Sequence, residues 1–444
     1  MPASPRRLRD TFSRALVLES PDPSLDALLA EQGFVVERLP DEATQDTALV
    51  LDRLRAFDPD LLFKRSRFVV DEAVLEAAPH LAAVMLCCIG DDSVDKAACA
   101  RRGVLVMNDP VSNGRSVAEM VMGEMIILAR RLFAAHEAGR QHLWTKDAYR
   151  RFELKGKTLG IVGLGNIGKQ VAQMATSFGM HVRFFDTSEI AREVGVALGY
   201  SCAKTMMDLF RSADVVTLHV SAEDVRGSSN EGLVTYEHLA ALGDDCPAPS
   251  PRLLLNAARG FLFEMDDLQR ALDEGHVRAA ALDVFPDEPG SKKDPWTNPF
   301  AAHTSVVTTP HIGAATEEAQ PRIAAYIAAT ARLFNETATV RDTVYAPRTT
   351  IGVEADAPYH VLAVTHADAR GTKKAIADAI YDSGASNLQS AHRDFPKYGY
   401  AYDVSAIDRP LSEEQLAALV ARADALAGVP GSIRSVRQLE VRKG

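Results

Sequence analysis

The sequence predicts an α/β protein whose central part is a doubly wound, Rossmann-type parallel sheet. Six short apolar runs recur in this part, and a polar turn and a helical stretch follow most of them. Near-continuous apolar runs are typical of strands buried on both faces, and strand–helix alternation indicates right-handed crossovers. The runs cover residues 159–162, 182–185, 215–220, 253–255, 279–284 and 306–309.

The turn after the first run has the spacing of a dinucleotide-binding loop. It contains Gly163, Gly165 and Gly168 and opens a helix, and Asp186 closes the next strand. Gly163 permits the tight turn, Gly165 lets the backbone approach a pyrophosphate, and Gly168 lets the helix pack on the strand. Asp186 would accept hydrogen bonds from the adenosine ribose and repel a 2′-phosphate. The pattern therefore predicts NAD rather than NADP as the cofactor.

Three charged or titratable residues follow later runs of the same sheet. His311 comes after Pro310 at the end of the sixth run, Glu288 follows the fifth, and Arg259 follows the fourth. A histidine can take the hydroxyl proton when a secondary alcohol is oxidised, and a carboxylate can orient its ring. A guanidinium matches a substrate carboxylate in two parallel hydrogen bonds. We therefore predict that these three side chains meet beside the cofactor.

Several motifs resemble the D-isomer-specific 2-hydroxyacid dehydrogenases over roughly residues 60–345. They are SNGRSVAEMVMGEMI (112–126), LKGKTLGIVGLGNIG (154–168), NAARG (256–260), DVFPDEP (283–289) and TPHIG (309–313). The resemblance implies Arg259, Glu288 and His311 as the catalytic set. It also implies NAD contacts in the glycine turn and at Asn166, Ile167, Asp186, Ala257, Ala258, Arg259, Asp283, His311, Gly313 and Ala314.

The family resemblance also implies a second domain that binds the substrate. We expect a flavodoxin-like α/β domain over residues 1–113, completed by residues 314–345, and an NAD-binding domain over 114–313 with the catalytic cleft between them. Within the first of these domains, the basic N-terminal residues are interpreted as a frayed tail, with a mitochondrial presequence as the alternative.

A basic cluster indicates the substrate class. Lys64, Arg65 and Arg67 follow a predicted strand, and such a density of cations suits a dianionic phosphate, although surface charge is the alternative. The resemblance adds Asn113 and Lys146 as substrate contacts and places Trp144 near a neighbouring subunit. We expect a phosphorylated 2-hydroxy acid. The alternatives are a glyoxylate or hydroxypyruvate reductase and, in another class, an NAD-gated corepressor-like scaffold.

The C-terminal part changes pattern after a predicted linker at 346–357. Residues 358–444 predict the order βαββαβ, which is typical of a ferredoxin-like fold. This module resembles the ACT amino-acid-sensing domain, and a dimerisation role is the alternative. Its first turn has Asp368 and Arg370 where an asparagine and a proline are usual, and Ser386 stands where another asparagine is expected, so the effector stays open.

Composition excludes several other classes. A net charge of −11 leaves no basic excess for general nucleic-acid binding. The most apolar stretch, 117–129, is short and carries Glu119 and Glu124, which predicts a buried helix rather than a membrane span. The five cysteines form no CxxC pair and no metal-ligand spacing is found, which favours a reducing, cytoplasmic location. We further expect a homo-oligomer, a small-molecule substrate and no metal.

Overall fold

The computed structural model describes residues 5–224, 228–289, 294–344, 349–353 and 358–441. The chain divides into two compact units. The first contains residues 1–112 and 320–444, and the second contains residues 113–319.

The N-terminal part of the first unit is a parallel α/β layer. Three of its helices begin where an aspartate side chain accepts backbone N–H groups, at Asp46, Asp71 and Asp95. The sheet has the strand order β3-β2-β4-β5-β6 and all its pairs are parallel. The elements are β1 (Arg6–Arg7), β2 (Arg14–Val17), α1 (Ser24–Glu31), β3 (Val35–Arg38), α2 (Asp41–Thr44), α3 (Thr47–Phe57), β4 (Leu61–Lys64), α4 (Glu72–Ala77), β5 (Ala83–Leu86), α5 (Lys96–Arg102) and β6 (Leu105–Asn108).

The second unit contains the predicted doubly wound sheet, which is confirmed. All six predicted strands are present, and the two-residue β9 adds a seventh at the edge. The elements are α6 (Gly114–Arg130), α7 (Leu132–Arg140), β7 (Thr158–Val162), α8 (Asn166–Ser177), β8 (His181–Phe185), α9 (Glu189–Ala197), β9 (Ser201–Cys202), α10 (Met206–Arg211), β10 (Val215–Leu218), α11 (Tyr236–Ala240), β11 (Leu253–Asn256), a 3₁₀ turn (Gly260–Leu262), α12 (Met265–Asp273), β12 (Ala279–Leu282) and β13 (Val306–Thr308).

The order of these strands fixes where a ligand can bind. The sheet runs β13-β12-β11-β10-β7-β8-β9 with every pair parallel. The strand order reverses at β7, and doubly wound sheets bind ligands beyond the carboxyl ends of their strands at such a switch point. The glycine turn at 163–168 lies at this point.

The C-terminal part of the first unit has the predicted βαββαβ order. Helix α13 (Ala319–Thr337) precedes it, and the module consists of β14 (Tyr359–Ala367), α14 (Thr372–Asp382), β15 (Asn387–Phe395), a 3₁₀ turn (Pro396–Tyr398), β16 (Tyr400–Ile407), α15 (Glu413–Ala427) and β17 (Ile433–Val441). The four long strands form an antiparallel sheet in the order β17-β14-β16-β15. The predicted ferredoxin-like fold is therefore confirmed.

The first described residues are ordered, so the prediction of a frayed tail was wrong for them. Strand β1 pairs in parallel with β17 and occupies the outer edge of the C-terminal sheet. The Arg6 guanidinium donates to the carbonyl groups of Pro79, Leu81 and Arg102. These bonds explain the order, because an open sheet edge and free carbonyl groups are available to the N-terminal segment.

One core joins the C-terminal sheet to the N-terminal layer within the first unit. Arg437 is 1% exposed, and its guanidinium lies 3.7 Å from the centre of the Phe12 ring. It donates to the carbonyl oxygens of Asp10, Phe334 and Asn335. A buried cation needs such partners, so this contact fixes how the module packs on the layer.

The predicted linker at 346–357 is described only at residues 349–353. There, Thr349 exchanges two backbone hydrogen bonds with Val340, and Ile351 is buried. Residues 345–348 and 354–357 lie outside the described part of the chain. Among the described helices, none is long and apolar enough to cross a membrane.

Candidate active site

The glycine turn after β7 has the geometry that a pyrophosphate requires. Gly163 has φ of +91°, and a Cβ added there would lie 2.5 Å from the carbonyl oxygen of His219. A Cβ at Gly168 would lie 2.2 Å from the carbonyl oxygen of Gly163, whereas one at Gly165 would point into open space. Gly165 precedes α8, whose N-terminal N–H groups favour an anion. The turn therefore fits a dinucleotide phosphate.

Asp186 is held beside this turn by backbone groups. Its carboxylate accepts hydrogen bonds from the N–H groups of Leu164 at 2.7 Å and Ser188 at 2.8 Å. The residue is half-buried at the end of β8. A fixed carboxylate here can accept hydrogen bonds from ribose hydroxyls, as the sequence predicts for NAD.

The loop that carries Arg259 is shaped by the buried Asn256. The Asn256 amide donates to the carbonyl oxygen of Arg259 at 2.8 Å, and its oxygen accepts from the Ala258 N–H at 3.0 Å. A Cβ added at Gly260 would lie 2.0 Å from the carbonyl carbon of Phe285. Only glycine permits this approach, which brings the Arg259 loop against the segment leading to Glu288.

The turn that carries His311 is organised by Asp283. This carboxylate is 1% exposed and accepts hydrogen bonds from the Thr309 hydroxyl and the N–H groups of Ile312 and Gly313, at 2.6, 2.8 and 2.9 Å. His311 has φ of +54°, an uncommon conformation for a non-glycine residue. Asp283 was predicted to contact NAD; in the structure, its carboxylate holds the His311 turn.

His311 and Glu288 form a hydrogen-bonded pair at the strand ends. The His311 Nδ1 lies 2.7 Å from Glu288 Oε2, and the N–H of Phe285 donates to Glu288 Oε1 at 3.1 Å. The two side chains are 49% and 36% exposed, so Nε2 of His311 is accessible to a substrate. A ring held at Nδ1 can exchange a proton at Nε2.

The charges of the pair shift its two pKa values in opposite directions. The hydrogen bond to Glu288 raises the pKa of His311 and outweighs the opposing effects of burial and of the Arg259 charge. Burial alone would raise the pKa of Glu288, but the hydrogen bond and charge of His311, the Phe285 N–H and the Arg259 charge together lower it. The pair therefore favours an ionised carboxylate beside a protonatable imidazole.

Arg259 lies close enough to affect both members of the pair. Its Nη1 also donates to the carbonyl oxygen of Ala258 at 2.8 Å. The structure thus brings Arg259, Glu288 and His311 to one edge of the sheet, as the sequence predicts. Of the other residues named for the cofactor, Asn166 and Ile167 begin α8, Ala257 and Ala258 lie in the Arg259 loop, and Gly313 and Ala314 follow His311.

We expect Glu288→Gln to move the acidic limb of the kcat/KM profile for alcohol oxidation to lower pH. The Glu288 carboxylate stabilises the imidazolium, so an uncharged amide lowers the pKa of His311 and the basic form persists to lower pH. Turnover at the plateau should fall roughly 10- to 100-fold, because a hydrogen bond to a charged group contributes about 1.5–3 kcal/mol. Glu274→Gln, which alters the exposed pair of Glu274 and His276, is the control. An unmoved limb would contradict the assignment.

The basic cluster after β4 is only partly available to a ligand. Lys64 is buried, and its ammonium donates to the Arg65 carbonyl oxygen at 2.8 Å and the Ser93 hydroxyl at 2.6 Å. Arg67 makes two hydrogen bonds to Asp41. The guanidinium of Arg65 has no hydrogen bond or ion pair with the residues that the structure describes. Of the predicted phosphate ligands, Arg65 is therefore the best placed.

The other predicted substrate residues differ in their surroundings. Asn113 is 7% exposed, and its side-chain oxygen is buried without a hydrogen-bond partner in the described part of the chain. Lys146 is exposed, and Trp144 is 91% exposed. A buried amide oxygen without a partner is costly, so Asn113 is a good position for a ligand that donates a hydrogen bond.

Sequence reasoning missed the supporting residues of the site. Asn256 and Thr309 shape the two functional loops, and Gly260 allows their close approach. All three are visible within the quoted motifs, but the contacts they make join distant segments. Nε2 of His219 lies 3.0 Å from the Thr217 hydroxyl, and burial lowers the pKa of His219 to about 4.

The chain is similar to known proteins over most of its length. Residues 122–313 match the model of the D-isomer specific 2-hydroxyacid dehydrogenase NAD binding domain. The chain is also 32% identical over 382 residues to a relative from Escherichia coli (strain K12), covering 85% of this chain and 86% of that relative. The chain therefore belongs to the D-isomer-specific 2-hydroxyacid dehydrogenases and is an NAD-dependent oxidoreductase.

Several of the similar proteins are the same kind of enzyme within this family. The Escherichia coli relative is a D-3-phosphoglycerate dehydrogenase, as is one from Dictyostelium discoideum, which is 34% identical over 310 residues and matches 70% of this chain and 72% of its own. A solved structure of NAD+-bound 3-phosphoglycerate dehydrogenase from Entamoeba histolytica has the same fold. It superposes with a TM-score of 0.59 at 24% identity, over 76% of this chain and 99% of that one.

Proposed function

We propose that the protein oxidises D-3-phosphoglycerate to 3-phosphohydroxypyruvate, the first step of serine biosynthesis. The observation that carries this proposal is the hydrogen-bonded pair of His311 and Glu288 beside Arg259, which follow the carboxyl ends of β13, β12 and β11 in an NAD-binding sheet. The similarity to D-3-phosphoglycerate dehydrogenases supports the choice of substrate.

The residues at the sheet edge supply the proton chemistry of the reaction. NAD, bound at the glycine turn and Asp186, would accept the hydride from C2 of the substrate. Nε2 of His311 takes the proton of the C2 hydroxyl as the carbonyl bond forms, and Glu288 stabilises the imidazolium that results. Arg259 binds the substrate carboxylate through two parallel hydrogen bonds and polarises the neighbouring C2 oxygen. In the reverse direction, reduction of the 2-oxo acid, the same residues act and His311 returns the proton to the C2 oxygen.

Arg65 is proposed to bind the substrate phosphate. Its guanidinium is not engaged by the described residues, whereas Lys64 is buried and Arg67 is paired with Asp41. A dianion gains from charge-assisted hydrogen bonds to such a group. The negative charge of Asp91 would repel a dianion, but Asp91 is paired at 3.0 Å with Lys96, the first residue of α5.

We expect Arg65→Ala to raise KM for D-3-phosphoglycerate by roughly 10- to 100-fold, because it removes a charged hydrogen-bond partner worth about 1.5–3 kcal/mol. KM for an unphosphorylated 2-hydroxy acid should change little. Arg55→Ala, which removes an exposed arginine paired with Asp52 in the same unit, is the control. Initial rates from NADH absorbance measure both substrates. Equal losses for both would favour the alternative, a glyoxylate or hydroxypyruvate reductase.

The protein is proposed to act in the cytoplasm as a homo-oligomer. Helix α7 has no buried residue, and the segment that follows it exposes Leu143, Trp144 and Tyr149. Exposed apolar groups in one segment are typical of a protein interface. Sedimentation of the wild type and of Trp144→Ala tests whether this segment forms the interface.

The C-terminal module is proposed to bind an amino-acid effector, as its ACT-like order βαββαβ suggests. Measuring the rate of NADH production in the presence of single amino acids tests this proposal.

A further inference from the structure

The C-terminal module contains a cluster of two histidines and an aspartate, all of them in the first compact unit. His366 lies on β14, His392 on β15 and Asp403 on β16. A ring nitrogen of each histidine and a carboxylate oxygen of Asp403 all lie within 4.8 Å of one another. Imidazole nitrogen and carboxylate oxygen are common ligands of Zn²⁺.

The strand register explains how three distant residues meet. His392 is directly paired with Asp403 across β15 and β16, while Val364 of β14 is paired with Asp403 from the other side. His366 is two residues beyond Val364 and therefore points to the same face of the sheet. Directly opposite and diagonal side chains on one face are within reach of each other. The cluster is thus a product of the βαββαβ topology.

The hydrogen bond of His366 leaves a lone pair on its other ring nitrogen. Nδ1 of His366 lies 2.7 Å from the Ala367 carbonyl oxygen and must donate to it, so Nε2 carries a lone pair. The buried Nε2 of His366 has no hydrogen-bond partner among the described residues, and the buried Nδ1 of His392 has only the nearby Asp403 carboxylate, at 3.3 Å. His366 is 1% exposed, and an unpartnered buried nitrogen is costly unless a ligand occupies it.

The charge and distances of the cluster suit a divalent cation. Asp403 is 3% exposed; one of its carboxylate oxygens accepts from the Ser405 hydroxyl, and the other lies 3.3 Å from His392 Nδ1. Two ligands of a tetrahedral Zn²⁺, each about 2.0–2.1 Å from the ion, are also separated by roughly 3.3 Å.

The surroundings allow an ion to enter and be held. His392 lies on β15, the edge strand of the sheet, and its side chain is 22% exposed, whereas His366 and Asp403 lie deeper. The Ala367 carbonyl and the Ser405 hydroxyl would orient two of the ligands from behind, which is the usual support of a metal site. A fourth position would face the exposed side.

We propose that His366, His392 and Asp403 form a binding site for Zn²⁺ in the C-terminal module, with a fourth position open to water or a small ligand. The ion would link strands β14, β15 and β16. The site shares no residue with the proposed proton chemistry, because Arg259, Glu288 and His311 belong to the second unit, whereas the three proposed ligands belong to the first.

Zinc titration of the full-length protein against a competing chromophoric chelator tests the proposal. We expect wild type to bind one more Zn²⁺ than His392→Asn or Asp403→Asn. In these variants the affinity of the site for Zn²⁺ should fall at least about 100-fold, because even residues that only orient the ligands contribute 10- to 100-fold to metal affinity. Substituting Co²⁺ should give the intense visible bands of a tetrahedral ion in wild type alone. His360→Asn, which changes another histidine of β14, should bind as wild type does.

Two further measurements keep the test decisive. His311→Asn identifies any Zn²⁺ held by the His311–Glu288 pair, so that this contribution is not assigned to the module. His392 is partly exposed, so His392→Asn should fold, which thermal unfolding and unchanged NADH production will verify. Equal zinc stoichiometry and affinity in wild type, His392→Asn and Asp403→Asn would overturn the proposal and leave the cluster as a packed histidine pair.

Discussion

His311→Asn should lower turnover by roughly 10²–10⁴-fold, the usual weight of general acid–base catalysis. Asparagine removes the base but tolerates the left-handed conformation that residue 311 adopts, with φ of +54°. The turn itself should persist, because Asp283 holds it through the backbone groups of Ile312 and Gly313. The loss should therefore appear in kcat, with NADH affinity, measured by fluorescence titration, close to that of wild type.

The control for this prediction is His276→Asn. His276 also lies near a glutamate, with Nε2 3.5 Å from Glu274. This pair is exposed and precedes the start of β12, whereas the proposed site follows the carboxyl ends of the strands. Its substitution should leave turnover unchanged. Single-turnover measurements separate the chemical step from product release. Full activity in His311→Asn would remove the imidazole from the mechanism and, with it, the proposed proton transfer.

The parts of the fold that local pattern specifies could be predicted well. Strands of the parallel sheet are marked by continuous apolar runs, and their ends identify Arg259, Glu288 and His311 without any knowledge of tertiary structure. The C-terminal elements are likewise bounded by turn residues such as Gly384 and Gly399, both with positive φ. In these segments the local preference and the tertiary packing favour the same structure.

What the sequence leaves unpredicted depends on contacts between distant segments. Lys64 and Arg67 are cations at a strand end, but Lys64 is buried near Glu19, and Arg67 pairs with Asp41. Asp283 lies beside the proposed cofactor site, yet its hydrogen bonds are directed to the His311 turn. Such partners cannot be assigned from composition or spacing, because each side chain could pair equally well elsewhere until the chain is folded.

The same reason accounts for the cluster in the C-terminal module. His366, His392 and Asp403 have no metal-ligand spacing along the chain, and the sequence therefore predicts no metal there. They come together only through strand register, which depends on the pairing of three strands. A one-residue shift of β15 would turn His392 to the opposite face.

Arg259→Ala should reduce kcat/KM for the 2-hydroxy acid by roughly 10²–10⁴-fold, because two hydrogen bonds to a charged group contribute about 1.5–3 kcal/mol each. Both KM and kcat should change, since the guanidinium binds the carboxylate and polarises the C2 oxygen. Arg259→Lys should recover only part of the loss, because an ammonium keeps the charge but cannot form two parallel bonds. Steady-state kinetics with NADH absorbance measure these effects.

A pH profile distinguishes this role of Arg259 from a merely structural one. The Arg259 charge opposes the rise in the pKa of His311 that Glu288 causes, so its removal should raise that pKa further. The acidic limb of the profile for oxidation should then move to higher pH in Arg259→Ala, because the neutral imidazole forms only at higher pH. This movement is opposite to the one expected for Glu288→Gln. Arg270→Ala, which removes an exposed arginine paired with Glu274, should move neither limb nor KM. If the acidic limb of the pH profile does not move in Arg259→Ala, the guanidinium lies too far from the imidazole to act on the same substrate.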